Sequence, residues 1–452
     1  MQFEITKFCD NNFEMQGKVV DGIKIIAPIE LKYYSFTYVV IMTYAAEQVY
    51  YQIRSMGIAE EKILMYSQLW QLTDMPAVIN VGKKKIHYKE WDAKKEKSIL
   101  LVSHNFSYTG VPVALKNMAM VLRRMGYFVL MAAMETGTFI QELEDEKIAY
   151  MDNLEAGYQS KEFFEMLDRF RAIVIGTFSL YKLAVALEGR KNPVIWWIHE
   201  TYEKYYAGKE NLPLKNVARF LAGGERVKRV FKKHYDGVEI ENLQYCLPDS
   251  NRCKTGNRGN EQLVIAVIGT VDERKAQDIL LEALICLPAN YKNLFRVVFI
   301  GKMDERTEFS KKIKAQIGRI SNLEWISEMR QSELDMFYEN IDVLVCPSRD
   351  DPMPIVVTQA MAHEKVCVVS ENVGQAEFIK QYDNGFVFTG EDASALMRII
   401  KWLIDNRKDT DKIGRAARKI YEKEFSEKVM EQKLEIILQE LPGDIVEYEN
   451  EI

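Results

Sequence analysis

Along the second half of the chain, short β-branched apolar runs alternate with stretches in which apolar residues return every three or four positions. That is how parallel strands covered by helices read in sequence. The runs fall at residues 263–269, 295–301, 323–326, 343–346 and 366–370. An earlier series repeats the grammar at residues 98–103, 128–132, 173–176 and 194–198, and residues 111–126 carry helical spacing between its first two members. Two doubly wound α/β domains facing each other are therefore expected, spanning residues 96–247 and 261–425. Residues 248–260, rich in Asp, Asn, Arg and Gly, read as the linker between them. Open parallel sheets bind ligands beyond the carboxyl ends of their strands, so the space between the two sheets is where chemistry is expected.

Residues 1–95 show a weaker form of the same pattern, with apolar runs at 23–26 and 38–42 and a helix expected over 45–56. No G-x-G-x-x-G occurs there, and the segment reads as a small α/β appendage of unknown role. Residues 393–441 are helical by composition. A last segment, 426–452, is expected as a helix followed by an acidic tail that frays at its end.

At 452 residues, two domains and an appendage are the natural expectation. The 60 basic and 66 acidic residues give a formal charge of -6, so no basic field favours an extended polyanion, and nucleic acid is not an expected partner. Cys9, Cys246, Cys253, Cys286, Cys346 and Cys367 lack metal-ligand spacing and read as reduced thiols, which suits a reducing compartment. The acidic N-terminus has no apolar leader core, and no window approaches the ~18 apolar residues of a membrane span. A cytoplasmic location is expected, with peripheral contact at the inner face of a membrane left open.

Candidate chemistry concentrates in CPSRDDPMPIVVTQAMAHEKVCVVSENVGQAEFI. A strand ending at Cys346 runs into a polar loop, and a helix is expected from near Pro354, so loop N–H groups and a helix N-terminus are placed to cradle a diphosphate. A second stretch, AVIGTVDERKAQDILLEAL, ends a strand at Gly269 and sets Arg274 and Lys275 at a helix start. In the first domain LLVSHNFSYTGVPVALKNMAMVL places Gly110 at a helix start, and PVIWWIHE ends a strand on His199 and Glu200. His104, just after the first strand, is another residue that can face the same edge.

These stretches, in this order over residues 97–435, resemble glycosyltransferase family 4, a group of retaining GT-B enzymes. The resemblance implies two facing Rossmann-like domains and a nucleotide-diphosphate sugar as donor substrate, with no cofactor and no metal ion. It implies Lys275 as the phosphate-binding lysine, with Arg274 beside it and Thr270 where relatives often carry Arg. His199 falls near the transferred sugar. The two acidic positions, separated by seven intervening residues, fall on Asp351 and Gln359, where Glu and Glu are usual, and the Gln amide forgoes about 1 kcal/mol of charge-assisted bonding to a ribose diol. Met353, Pro354, Ile355 and Gly110 are implied as further donor contacts.

Each residue has a plainer reading. Gly110 serves as a turn glycine, Lys275 as a solvated lysine, and His199 as a satisfied histidine at a strand end. Asp350 and Asp351 read as strand terminators or a helix cap. Trp196 and Trp197 read as core, Asp409 and Asp411 as solvated surface despite their D-x-D spacing, and His363 and Glu364 as surface variation. The expected function is transfer of a hexose to a saccharide or lipid-linked acceptor in cell-surface polysaccharide synthesis. A nucleotide-sugar epimerase of the same fold and a catalytically drifted binding or scaffold subunit are the alternatives.

Overall fold

The computed structural model describes residues 4–43, 46–65, 77–82, 84–91, 97–152, 154, 161–212, 214–249, 262–327, 329 and 331–442. Apart from Pro248 and Asp249, the expected linker lies outside these residues, as do Cys253 and the acidic tail. The chain forms two compact units, one of residues 1–107 with 130–172 and one of residues 108–129 with 173–452.

In the first unit, Phe8–Cys9 runs parallel to Ile23–Ile26, which pairs antiparallel with Val19–Val20, and Val39–Ile41 runs parallel to Ile63–Met65. With helix Ala46–Ser55 these strands enclose a small core of Ile26, Leu31, Ile41, Ile53, Ile58 and Ile63. The larger sheet of this unit runs in the order Ser98–Asn105, Phe128–Glu135, Ala149–Met151, Val78–Val81, Lys84–His87. Its last two strands form an antiparallel hairpin, and Asn80 faces Tyr150 in the register with the strand beside them. Val78–Val81 and Lys84–His87, within the segment expected as an appendage, are thus part of this sheet.

The second unit holds the helix Gly110–Arg124 and two parallel strand sets. In one, Ala172–Ile175, Val194–Ile198, Val217–Ala222 and Ile240–Asn242 lie side by side. Val194–Ile198 is buried throughout, with Trp196 and Trp197 fully enclosed and their indole N–H groups donating to the carbonyls of Thr177 (2.9 Å) and Leu243 (2.8 Å). These two residues are core, and each polar end is satisfied.

The other set is a six-stranded sheet in the order Leu323–Ile326, Phe295–Ile300, Leu263–Ile268, Val343–Cys346, Val366–Ser370, Phe386–Phe388, parallel throughout. Its strands are apolar on both faces because helices cover both. Gln277–Ile285 packs against Ala393–Asp405, and Leu280, Leu284, Leu396 and Ile400 join Ile265, Val297 and Val368 in one buried cluster. Among the described residues Cys246, Cys346 and Cys367 are buried thiols and Cys9 and Cys286 exposed ones, all free.

The C-terminal segment is helical as expected, through Ala393–Asp405, Thr410–Ile420 and Glu427–Gln439. Asp409 and Asp411 sit at the start of the second of these, and Asp411 is exposed. His363 is more than surface variation, for its ring stacks on Tyr338 at 5.0 Å where the helix Ile355–Ala362 ends.

Candidate functional site

Four strands of the second unit end on loops that meet. Val194–Ile198 delivers His199, Glu200 and Thr201; Val217–Ala222 delivers Gly223 and Gly224; Leu263–Ile268 delivers Gly269 to Lys275; and Val343–Cys346 delivers the loop 347–354. A parallel strand leaves its carboxyl end with spare backbone and no neighbour to continue it, so polar side chains collect at this edge.

At the centre is Asp351, buried to 6 % exposure. Its Oδ2 accepts from Lys275 Nζ at 2.6 Å and from Arg274 Nη1 at 3.2 Å. A buried carboxylate needs such partners, since an unpaired charge away from water is costly. Arg274 is held above the ordinary arginine range, burial opposing the shift and Asp351 and Asp272 outweighing it. The loop before the lysine is organised by Asp272, which accepts from the Lys275 backbone N–H at 2.7 Å and from Thr270 Oγ1 at 2.9 Å. Ala276 then takes a left-handed conformation, with φ of 55°, just before the helix Gln277–Ile285. This turn directs the Lys275 side chain back past Gly269 toward Asp351.

The Asp350 and Asp351 side chains do not cap the helix that follows. Asp351 bridges to Val373, its N–H donating to the Asn372 carbonyl at 3.2 Å, and Pro354 occupies the N-cap position without a side-chain bond. The Arg349 N–H is likewise engaged, by the Arg274 carbonyl at 2.8 Å. Two of the loop N–H groups expected to face a diphosphate are therefore spent on backbone carbonyls of neighbouring segments. Pro354 contributes its carbonyl to Gln375 Nε2 at 2.8 Å, in a buried network with Thr358 and Tyr245. Met353 is buried, its Sδ-methyl against Gly224 and Gly374, and Ile355 is half-buried at the first turn of the helix.

Gln359, one helical turn on, accepts from the Tyr338 hydroxyl at 3.2 Å, and the same hydroxyl lies 3.1 Å from the Val356 carbonyl. Burial pushes the Tyr338 phenol far above its ordinary value, so it remains a donor. His199 stands at the opposite strand end with its ring 4.5 Å from that of Trp197. Gly223 makes room for it, because a Cβ there would lie 2.7 Å from His199 Nδ1. Glu200 is a brace: its carboxylate accepts from the N–H groups of Phe178 and His199 at 3.0 Å each and from the Thr177 hydroxyl.

The structure thus gathers Asp351, Lys275, Arg274 and Thr270 into one network with Asp272. Gln359 lies on the helix that follows, and Gly110 opens its own helix with open space around its Cα. His104 is half-buried at the end of Ser98–Asn105, in the first unit. Asp350, read from the sequence only as a strand terminator or helix cap, and Arg226, left without a role, join the site. Asp350 accepts from Thr201 Oγ1 at 2.9 Å and from Arg226 Nη2 at 2.6 Å. Arg226 had no distinguishing signal, lying among five basic residues of the helix Glu225–His234.

Two Rossmann-like strand sets with their chemistry gathered at the strand ends define a GT-B protein. The same architecture appears in solved structures: Anabaena HepE in complex with UDP and glucose aligns with a TM-score of 0.64, 18% identity, and coverage of 76% of this chain and 99% of that one. A sucrose-phosphate synthase from Thermosynechococcus elongatus aligns with a TM-score of 0.63 and 14% identity over 76% of this chain and 99% of that one. The chain belongs to glycosyltransferase family 4: residues 95–237 match the model described as Glycosyl-transferase family 4, and residues 251–420 match Glycosyl transferases group 1. Residues 1–64 match a model described as C2185-like, N-terminal.

Among curated proteins, the chain is similar to a capsular polysaccharide biosynthesis glycosyltransferase of Staphylococcus aureus, 22% identical over 50% of this chain and 58% of that protein. It is also similar to a lipopolysaccharide core biosynthesis mannosyltransferase of Rhizobium leguminosarum, 26% identical over 30% of this chain and 39% of that protein. The matches therefore span little more than half the length of these relatives at most. No helix among the described residues is long and apolar enough to cross a membrane.

Proposed function

We propose that this protein is a retaining glycosyltransferase that moves a hexose from a nucleotide-diphosphate donor to a saccharide or lipid-linked acceptor in cell-surface polysaccharide synthesis. The observation that carries the reading is the cluster of Lys275, Arg274 and Asp351 at the strand ends of the six-stranded sheet. Two cations on a single buried carboxylate oxygen form a preorganised site for a leaving diphosphate, which brings its own negative charge as the glycosidic bond to it lengthens. The relatives whose names include capsular polysaccharide and lipopolysaccharide core synthesis support the pathway.

In this mechanism the anomeric carbon becomes oxocarbenium-like as the diphosphate departs toward Lys275 and Arg274. The acceptor hydroxyl attacks from the face the diphosphate leaves, and the phosphate takes its proton. Asp351 and His199 orient the sugar, and Gln359 meets the ribose. Charge on the departing diphosphate is balanced by side chains without a divalent ion, no cofactor takes part, and the work is done on the cytoplasmic side of a membrane.

Calorimetric titration with a panel of nucleoside diphosphates and nucleotide sugars tests the reading. One diphosphate series is expected to bind, and to bind more weakly in Lys275→Ala. A panel without any measurable binding overturns it and favours a drifted subunit.

A further inference from the structure

We propose that Asp350 is a positioning residue, a latch that holds the His199 strand end against the loop carrying Asp351. Asp350 does not itself touch the sugar nucleotide. The inference rests on the reading above only for its turnover arm. Both carboxylate oxygens of Asp350 are spent on the parallel set that carries His199: Oδ2 on Thr201, two residues beyond His199, and Oδ1 on Arg226 from the helix after Val217–Ala222. The next residue, Asp351, spends its carboxylate on Lys275 and Arg274 of the six-stranded sheet. Two successive side chains are thus committed to opposite strand sets, and the peptide between them is fixed from both sides.

The neighbouring contacts repeat the arrangement. Arg226 Nη1 reaches Asn372 Oδ1 at 3.5 Å, and the Asn372 carbonyl holds the Asp351 N–H. Arg274 Nη1 approaches the Asp350 carbonyl at 3.3 Å. Beside them the Met353 side chain lies so close to Gly224 that a Cβ there would stand 2.6 Å from Met353 Cε. Surface ion pairs contribute little, but here the Arg226 and Asp350 side chains are only 23% and 19% exposed, the distance is short, and the carboxylate has a second donor. Breaking it leaves a desolvated charge on either strand set.

Separation of the two strand sets is the consequence of losing this contact. The donor-binding cations stay together on the six-stranded sheet while His199 withdraws. Asp350→Ala, Arg226→Ala and the exchange Asp350→Arg with Arg226→Asp are compared with the unaltered full chain. Three readouts are taken: the Kd of the diphosphate that binds best in the panel, kcat with its nucleotide sugar, and small-angle scattering without ligand.

Each single variant is expected to keep Kd within about threefold, to lose about tenfold or more in kcat, and to scatter as a more open particle, with the exchange recovering most of both losses. Single variants with unaltered kcat and scattering overturn the latch. So does a loss of binding, turnover and thermal stability together that the exchange fails to restore. A chain that binds no nucleotide removes the transferase reading, while the scattering of the single and exchanged variants still decides the latch.

Discussion

Lys275 Nζ lies 2.6 Å from Asp351 Oδ2, and Arg274 shares that oxygen from 3.2 Å. The lysine that the sequence assigns to a diphosphate thus has an internal counter-ion, and the Asp351 side chain is only 9% exposed. In Lys275→Ala, Arg274 still neutralises Asp351, so the fold is expected to survive with a loss of about 1–3 kcal/mol from the weakened hydrogen bonding. Sugar transfer is expected to vanish, because one of the two cations proposed to face the leaving group is gone. Denaturant unfolding and an initial-rate assay check the two parts separately, and normal turnover in this variant sinks the assignment.

Much of the fold was legible because strands buried on both faces read as unbroken apolar runs; residues 323–326, 343–346 and 366–370 appear as strands without a shift in boundary. Ala149–Met151, Ile240–Asn242 and Phe386–Phe388 went unread, being three residues long, too short for any period to show. Val217–Ala222 was hidden by Arg219, a charged residue inside the strand whose side chain pairs with Glu241 and Glu440. At the site, Lys275 stood out at the start of a helix after a strand and loop, and Asp351 through the family resemblance of its loop. Asp350 did not, since its partners Thr201 and Arg226 are 149 and 124 residues away and only the packed strand ends bring them together.

Gln359 gives a gain-of-affinity prediction. Its amide oxygen accepts from the Tyr338 hydroxyl, and burial keeps that phenol protonated. A carboxylate at the same place keeps the bond and adds charge-assisted acceptance for ribose hydroxyls. Gln359→Glu is therefore expected to tighten nucleotide binding by about 1 kcal/mol, roughly fivefold in Kd. Calorimetry decides, and unchanged or weaker binding shows that residue 359 does not meet the ribose.

In the proposed mechanism Lys275 and Arg274, both held on Asp351, take the place of the divalent ion that many phosphate-handling sites use. Transfer is accordingly expected to persist at its full rate after dialysis against a chelator, with no stimulation when magnesium or manganese is returned. Complete loss with EDTA and recovery with either ion argues for a metal-assisted departure of the diphosphate.

Gly374 and Gly110 make a contrasting pair. Gly374 donates its N–H to the Asp351 carbonyl at 3.0 Å, and a Cβ on it would fall 1.7 Å from the Pro352 carbonyl oxygen and 3.1 Å from Met353 Cε. Backbone cannot rotate aside as the end of a side chain can, so Gly374→Ala must push the loop 350–353 away. A loss of about 1–3 kcal/mol in stability is expected, with weaker nucleotide binding as Asp351 moves off Lys275. At Gly110 a Cβ meets nothing within 4 Å. Gly110→Ala is expected to leave unfolding unchanged or slightly harder, since alanine is the better helix residue. Any effect on transfer then reports a ligand approaching that backbone. Thermal unfolding of the two variants alongside their nucleotide affinities separates a glycine required by the fold from one required by the substrate, and a Gly374→Ala protein as stable as the unaltered chain contradicts the packing described for this loop.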